Sequence, residues 1–504
     1  MEPVSPRGDG ARSPQALDAR LDAGSFRDPE SRVFYAAGEV LRVLSREGLE
    51  DFNAFASTRL FARTQEDGRV VRTERVDDWR SLDLPLVKEP AAVLRHERVP
   101  FVSYPYEWPF SMLKDAALLQ LGLLQEALAE GLTLKDASPY NVQFVGSRPT
   151  FVDVGSFERL RPGETWTAYR QFCMLFLYPL LLQALRRVPY QPLLRGAIDG
   201  IDPLHMRSLL PLRDRLRRGV FTHVTLHARL QARYADRAGE IRSSLNRQLQ
   251  DRELQRRLLE ANVRKMQRLV ERLRWQPPRG VWVAYGERNT YTDEDTQLKE
   301  RFVEEAAGAR RRRLVWDLGC NNGRYARIAA RHADYVVALD ADQGPVELLY
   351  RDLREEGEER ILPLVVNLAD PSPGLGWRGA ERKPLWERGR PDLVLALALI
   401  HHVAITANVP VREFLGWLWS LGGELVIEFP TRDDPMVRKL LSGKREGLHP
   451  DYQLERFERE LGEFFEVDRR LELPSGTRVL YAARPRGAGA EATRLIASSA
   501  DSDG

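Results

Sequence analysis

The chain has 504 residues, which at roughly 100 to 200 residues per domain leaves room for two to four domains and excludes a single small one. With 43% hydrophobic and 30% charged residues the composition is that of a globular protein, and 76 Lys and Arg against 73 Asp and Glu give a net charge of only +3, too small for an electrostatic nucleic-acid sleeve. Cys173 and Cys320 are the only cysteines; they exclude a disulfide framework and point to a reducing, cytoplasmic setting.

In chain order, residues 1–22 and 487–504 are rich in Ser, Gly, Ala, Pro and Asp without hydrophobic period, and are expected as tails. The start Met1-Glu2-Pro3-Val4-Ser5-Pro6 lacks a basic region followed by an apolar run, so no secretory signal is expected there. Short runs between about 25 and 110, such as Val33-Phe34-Tyr35 and Val40-Leu41-Arg42-Val43-Leu44 around Ala36-Ala37-Gly38, suit hairpin strands. Ser111 to Gly131 follows with a helical stripe of Leu113, Ala117, Leu121, Leu124 and Leu128.

Next comes Leu134-Lys135-Asp136-Ala137-Ser138-Pro139-Tyr140-Asn141, then Asp153-Val154-Gly155. The pair resembles the catalytic loop and magnesium-binding Asp-x-Gly of protein and aminoglycoside kinases. That resemblance implies Asp136 as acceptor of a hydroxyl proton and Asn141 and Asp153 as metal holders. Leu134 stands where the kinase histidine is expected, and Lys88, the only lysine before Lys114, lies just 48 residues ahead of Asp136. No glycine-rich phosphate loop precedes it. The expectation for 23–223 is therefore a degenerate kinase-like α+β region.

From about 165 to 275 the pattern is helical. The apolar stretch from Phe172 to Leu185 is about 14 residues, short of the roughly 20 that span a bilayer, and reads as a buried helix. Between Arg242 and Arg274 ten basic residues face four acidic ones, and Leu254, Leu258, Met266, Leu269 and Leu273 can share a stripe. Residues 224–280 thus read as a basic helical linker with a solvated outer face, a surface for RNA or membrane being the other reading. Pro277-Pro278-Arg279-Gly280 closes it, and Tyr285 to Tyr291 precedes a helix containing Leu298, Phe302 and Val303.

Beyond about 314, apolar runs at Leu314 to Trp316, Tyr335 to Leu339, Ile361 to Val366, Leu393 to Leu397 and Glu424 to Ile427 alternate with helical patterns, as in a parallel sheet covered on both faces. Phe464 to Leu473, Pro474-Ser475-Gly476 and Thr477 to Ala483 suit an antiparallel hairpin at an edge. The first of these strands runs into Asp317-Leu318-Gly319-Cys320-Asn321-Asn322-Gly323, a small-residue turn that opens a helix and lets backbone approach a ligand. Asp340 ends the next strand 23 residues after Asp317, close to the roughly 20 between a nucleotide loop and the acid that grips a ribose.

These motifs and the terminal hairpin resemble the class I S-adenosylmethionine-dependent methyltransferases over about 314–484. The resemblance implies a Rossmann-like seven-stranded sheet with its last strand antiparallel, within a domain at 281–486. It also implies S-adenosyl-L-methionine held by Asp317, Gly319, Asn321, Gly323 and Asp340, with Asn367 or Asp370 near the adenine amine. At the fourth strand end, His401 and His402 are candidate proton acceptors. Neighbours on a helix point about 100° apart and no acid repeats their spacing, so no metal is expected there. The segment Leu399-Ile400-His401-His402 lacks the Pro-Pro-aromatic signature of enzymes that methylate base amines. The acceptor expected is a hydroxyl of a small molecule or glycan-like metabolite, nucleic acid being disfavoured. A strand-end carboxylate, Glu428, could line the same crevice or cap the next turn. Both halves together resemble the nodulation NoeA-like group of bacterial methyltransferases; a bifunctional kinase-methyltransferase and a non-catalytic adaptor are the competing readings.

Overall fold

The computed structural model describes residues 19–79, 90–161, 165–217, 219–227, 252–277, 291–445 and 448–487. The chain divides into two compact units, 1–98 and 99–504.

In the first unit, β1 (Arg20–Leu21), β2 (Ser31–Ala36), β3 (Glu39–Leu44), β4 (Thr73–Arg75) and β5 (Ala92–His96) form an antiparallel sheet in the order β1-β2-β3-β5-β4. The expected hairpin is β2–β3. Its two-residue turn puts Ala37 and Gly38 at φ 50° and 86°, the mirror-image geometry that matches strand twist. Phe34, Ala36, Leu41, Val43 and Val93 pack on one face. Hairpin strands alone do not account for this region. Two helices, α1 (Arg46–Ala56) and α2 (Arg59–Asp67), intervene, because Ser45 and Thr58 cap them by accepting the N–H of Gly48 and Phe61.

The second unit opens with α3 (Phe110–Ala129), then β6 (Leu132–Leu134), the hairpin β7 (Val142–Val145) and β8 (Arg148–Phe151), and β9 (Phe157–Arg159), which pairs back on β6. The apolar stretch near 172–185 is buried in α4 (Tyr169–Phe172), a π-helical turn (Cys173–Leu177) and α5 (Tyr178–Arg186). Among the described residues no helix is long and apolar enough to cross a membrane. Short helices α6 (Gln191–Gly196), α7 (Pro203–Leu209) and α8 (Leu212–Arg215) and a π-helical turn (Phe221–Leu226) follow. The arginine-rich helix α9 (Arg252–Arg272) packs on α3, and its buried residues are Val263, Met266 and Val270. Of the expected stripe, Met266 and, just past the helix, Leu273 are buried and Leu269 is half-buried, whereas Leu258 lies exposed.

After α10 (Asp293–Gly308), strands β10 (Arg312–Leu318), β11 (Ala333–Asp340), β12 (Ile361–Val365), β13 (Leu393–Ala396), β14 (Glu424–Pro430), β15 (Phe465–Glu472) and β16 (Arg478–Pro485) supply one seven-stranded sheet in the order β12-β11-β10-β13-β14-β16-β15. Helices α11 (Arg324–Ala330) and α12 (Gln343–Glu356) make the first crossovers. β10 to β14 run parallel, and β16 enters antiparallel between β14 and β15. Seven sheet strands and an antiparallel last strand agree with the expectation. The order reverses between β10 and β13, so the loops leaving those two strands part to opposite faces and open a crevice at their carboxyl ends.

Several polar contacts, all within the second unit, bind α3 and its neighbours to the large sheet's layers. Ser111 N–H donates to Glu347 at 2.9 Å, the Tyr350 hydroxyl donates to Asp115 at 2.8 Å, and Gly146 N–H donates to the Tyr335 hydroxyl at 2.8 Å. Arg388 and Glu107, 0% and 1% exposed, form an ion pair at 2.6 Å.

Candidate functional site

β10 hands over to α11 through the glycine loop. Gly319 and Gly323 both lie at φ 77°, and Asn321 takes φ 48°, the left-handed region that Asn tolerates better than most residues. A Cβ on Gly323 would stand 2.6 Å from a Leu349 methyl. The N–H groups of Gly319 and Cys320 donate to the Leu339 carbonyl at 2.8 and 3.0 Å, strapping the loop to β11.

Asp340, at the end of β11, accepts the Asn321 N–H at 2.8 Å on one oxygen and the Asp342 N–H at 2.9 Å on the other. Burial raises its carboxyl, and those N–H groups oppose the rise. Asp317 lies deeper, 1% exposed. Burial and the nearby Asp340 push its carboxyl up to about 7, although the Ala326 N–H at the start of α11 favours the charged form. Its Oδ2 has no hydrogen-bond partner among the described residues. A buried acceptor in that state is costly, and a cationic ligand in the crevice would relieve it.

Across the crevice, the turn after β13 holds a left-handed residue, Ala398 at φ 51°. Its N–H donates to Glu428 Oε2 at 2.8 Å. The turn seats Leu399 against Gly319, whose imaginary Cβ would be 3.3 Å from the leucine methyl, and it starts the helical segment bearing the two histidines. Their rings lie 4.1 Å apart. His401 is buried, with its Nδ1 lacking a partner among the described residues; His402 is partly exposed. Burial drives both below the usual histidine range, His402 to about 4, with Arg478 adding to the effect. At neutral pH both are uncharged imidazoles.

Behind this turn lies a buried ionic network. Lys299 of α10 donates to Glu428 Oε2 at 2.6 Å and to the Tyr291 hydroxyl at 2.9 Å. Tyr291 donates to Glu428 Oε1 at 2.8 Å, where Arg478 also donates at 3.2 Å. Arg478 binds Asp434 at 2.8 Å, and Asp434 caps α13 (Pro435–Ser442), accepting the Met436 N–H. Burial would raise the Glu428 carboxyl, but Lys299 and Arg478 outweigh it and hold it down at about 2. Sequence reasoning weighed Glu428 without these ionic partners. Lys299 sits unremarkably on an amphipathic helix, and the local signal for Arg478 is one charge opening an apolar strand.

Asn367 and Asp370 do not join the loop cluster by any described contact. Asn367 is exposed and its side chain accepts the Ala369 N–H at 3.0 Å, while Asp370 pairs with both Arg195 terminal nitrogens at 3.0 Å. Elsewhere, Asp136 accepts the Ser138 N–H at 3.0 Å, and Ser156 links Asn141 to Asp153. Burial first, and Asp153 second, raise the Asp136 carboxyl. The described residues hold no group of three His, Cys, Asp or Glu placed to bind a metal. Both tails apart from 19–22 and 487, Lys88, residues 228–251 of the linker, residues 278–280 after Pro277, and Tyr285 to Thr290 lie outside the described residues.

No protein-family model matches the chain. Among solved structures it is similar over 40% of its length to 96% of the N-methyltransferase NodS from Bradyrhizobium japonicum WM9, solved with S-adenosyl-L-homocysteine, at 13% identity and a TM-score of 0.29. A SAM-dependent methyltransferase from Aquifex aeolicus aligns over 38% of this chain and 90% of its own, at 16% identity and a TM-score of 0.25. A curated relative, nodulation protein NoeA of Rhizobium meliloti strain 1021, is 33% identical over 461 residues, covering 91% of this chain and 95% of that protein. Identity at that level along nearly the whole of both sequences means that the chain belongs to the NoeA family.

Proposed function

We propose that the protein transfers a methyl group from S-adenosyl-L-methionine to a hydroxyl of a small molecule or glycan-like metabolite. The observation that carries the reading is the glycine loop at the switch point of the sheet, strapped to β11 and bordered by Asp340 and the half-satisfied Asp317. The residues present fit such a donor. Gly319, Asn321 and Gly323 expose backbone, Asp340 keeps acceptor capacity for a cis-diol, and Asp317 offers a buried acceptor to a cationic atom. Bound, the donor would supply an electrophilic methyl carbon. The chain's own part is to exclude water, orient the acceptor and take its proton. His402, neutral and partly exposed, is assigned the proton, with His401 packed behind it.

The N-terminal region, 23–223, is assigned to acceptor recruitment, and α3 to β9 lie within it. Its order of helix, short strand, Asp136 loop, hairpin, Asp153-x-Gly155 and returning strand supports a kinase-like fold. Phosphoryl transfer is not part of the proposal. Calorimetry with S-adenosyl-L-homocysteine tests the donor site: the native chain should bind and Gly319→Arg should not. Equal binding by both removes the site from the loop. Labelled donor incubated with fractionated cell extract then identifies the acceptor.

A further inference from the structure

Large apolar side chains exposed to water are concentrated in one stretch. Of fifteen among the described residues, eight fall between residues 188 and 226: Val188, Leu193, Leu204, Leu209, Leu212, Leu216, Phe221 and Leu226. Single exposed leucines need no explanation, but a cluster marks a contact surface. Leu212 and Leu216, four apart around α8, are 68% and 65% exposed. α7 and α8, which with the π-helical turn carry most of these side chains, each pack on that turn.

The charge of the same stretch is one-sided. From Arg186 to His227 the sequence has eight arginines against three aspartates. Asp214 is buried and engaged by Arg217 at 2.9 Å and Arg186 at 3.8 Å, and Asp202 faces Arg170 at 3.6 Å. Arg187 and Arg213 are exposed, with no ion pair among the described residues. Leucines standing in water beside outward arginines, in Leu209-Leu210-Pro211-Leu212-Arg213-Asp214-Arg215-Leu216-Arg217, match a surface that is apolar just beneath a negative layer.

We propose that α7, α8 and the following π-helical turn dock the protein on an anionic lipid surface, with Leu212 and Leu216 entering the acyl boundary and Arg187 and Arg213 meeting lipid phosphates. Arg195 of the neighbouring α6 binds Asp370, in the loop after β12. The proposal does not depend on methyl transfer, and its test needs no donor.

The experiment is co-sedimentation of the full chain with vesicles of phosphatidylcholine alone and of equimolar phosphatidylcholine and phosphatidylglycerol. Binding should require the anionic lipid and weaken with added salt. Arg187→Gln with Arg213→Gln should lower the partition coefficient roughly thirtyfold, at about 1 kcal/mol per charge. Leu212→Ser with Leu216→Ser should lower it at least about tenfold while leaving the melting temperature unchanged, since both side chains are already in water. Absence of vesicle binding overturns the proposal and leaves the face to a protein or to another segment of this chain. Binding unaffected by both double variants overturns it too, by moving the contact elsewhere.

Discussion

The Asp340 carboxylate receives the Asn321 N–H at 2.8 Å, so the acid that ends the second strand of the sheet also fixes the left-handed residue in the glycine loop of the first. Replacing it with Asn leaves one acceptor oxygen for two backbone donors. Asp340→Asn should cost about 1–3 kcal/mol of stability and lower S-adenosyl-L-homocysteine affinity at least about tenfold, both measurable by urea titration and calorimetry. Asp370→Asn is the contrast. It removes only an exposed pair with Arg195, so stability should change by no more than about 1 kcal/mol and affinity should stay put.

Asp317 gives the donor site a pH dependence. Its carboxyl is held at about 7, and a positively charged donor favours the ionised form. Affinity for S-adenosyl-L-methionine should therefore be highest above that pH and fall below it by up to about tenfold per unit. Calorimetry across neutral pH checks this, and Asp317→Asn should flatten the profile. A wild-type profile that is already flat would show that the carboxyl does not meet the donor's charge.

Glu428 balances two buried cations. Glu428→Gln leaves Arg478 with Asp434 and Lys299 with the Tyr291 hydroxyl in place of a carboxylate, and should destabilise the chain by about 3–5 kcal/mol. Adding Lys299→Met to that variant removes one stranded cation and should recover part of the loss. Urea midpoints of the two variants decide it. Because Ala398 N–H also donates to Glu428, the single variant should weaken activity beyond its effect on stability.

The buried histidines set the acid limit. Both are held below the 6.5 of a histidine in water, His402 at about 4, so the unfolded chain binds more protons as pH falls through that window. The histidine contribution should be full above 6.5 and decline by roughly 1.4 kcal/mol per pH unit for each histidine, while Asp317, raised to about 7 from 3.8, contributes in the opposite direction over the same range. Glu428, depressed to about 2 from 4.5, extends the loss to lower pH. His402→Asn should make the melting temperature less steep in pH between 6.5 and 4.

The large sheet was readable because its strands are continuous apolar runs and its loops carry glycine where a side chain would collide, as at Gly323. Local chemistry suffices for both. The network around Glu428 was not readable, since Tyr291 and Lys299 at α10, Asp434 at the head of α13 and Arg478 on β16 are far apart in sequence and meet only when α10 and β16 pack. The helices α1 and α2 were hidden for a different reason: their signals are single capping hydroxyls, Ser45 and Thr58, in a stretch where apolar runs suggested strands. Leu258 misled because an apolar residue at helical spacing need not be covered: α3 covers Val263, Met266 and Val270, further along α9.

Glu347, Tyr350, Tyr335 and Arg388 are each completed by a residue from the stretch between 107 and 146. A fragment begun at residue 281 would lose these partners and bare the apolar surface beside them, including Trp316 and Tyr350, whose rings pack edge-on against Phe101 and Phe144. The last third is therefore no portable cassette. Grafting it onto another recruiter, or expressing it by itself, should yield insoluble material unless the helix that completes it travels along.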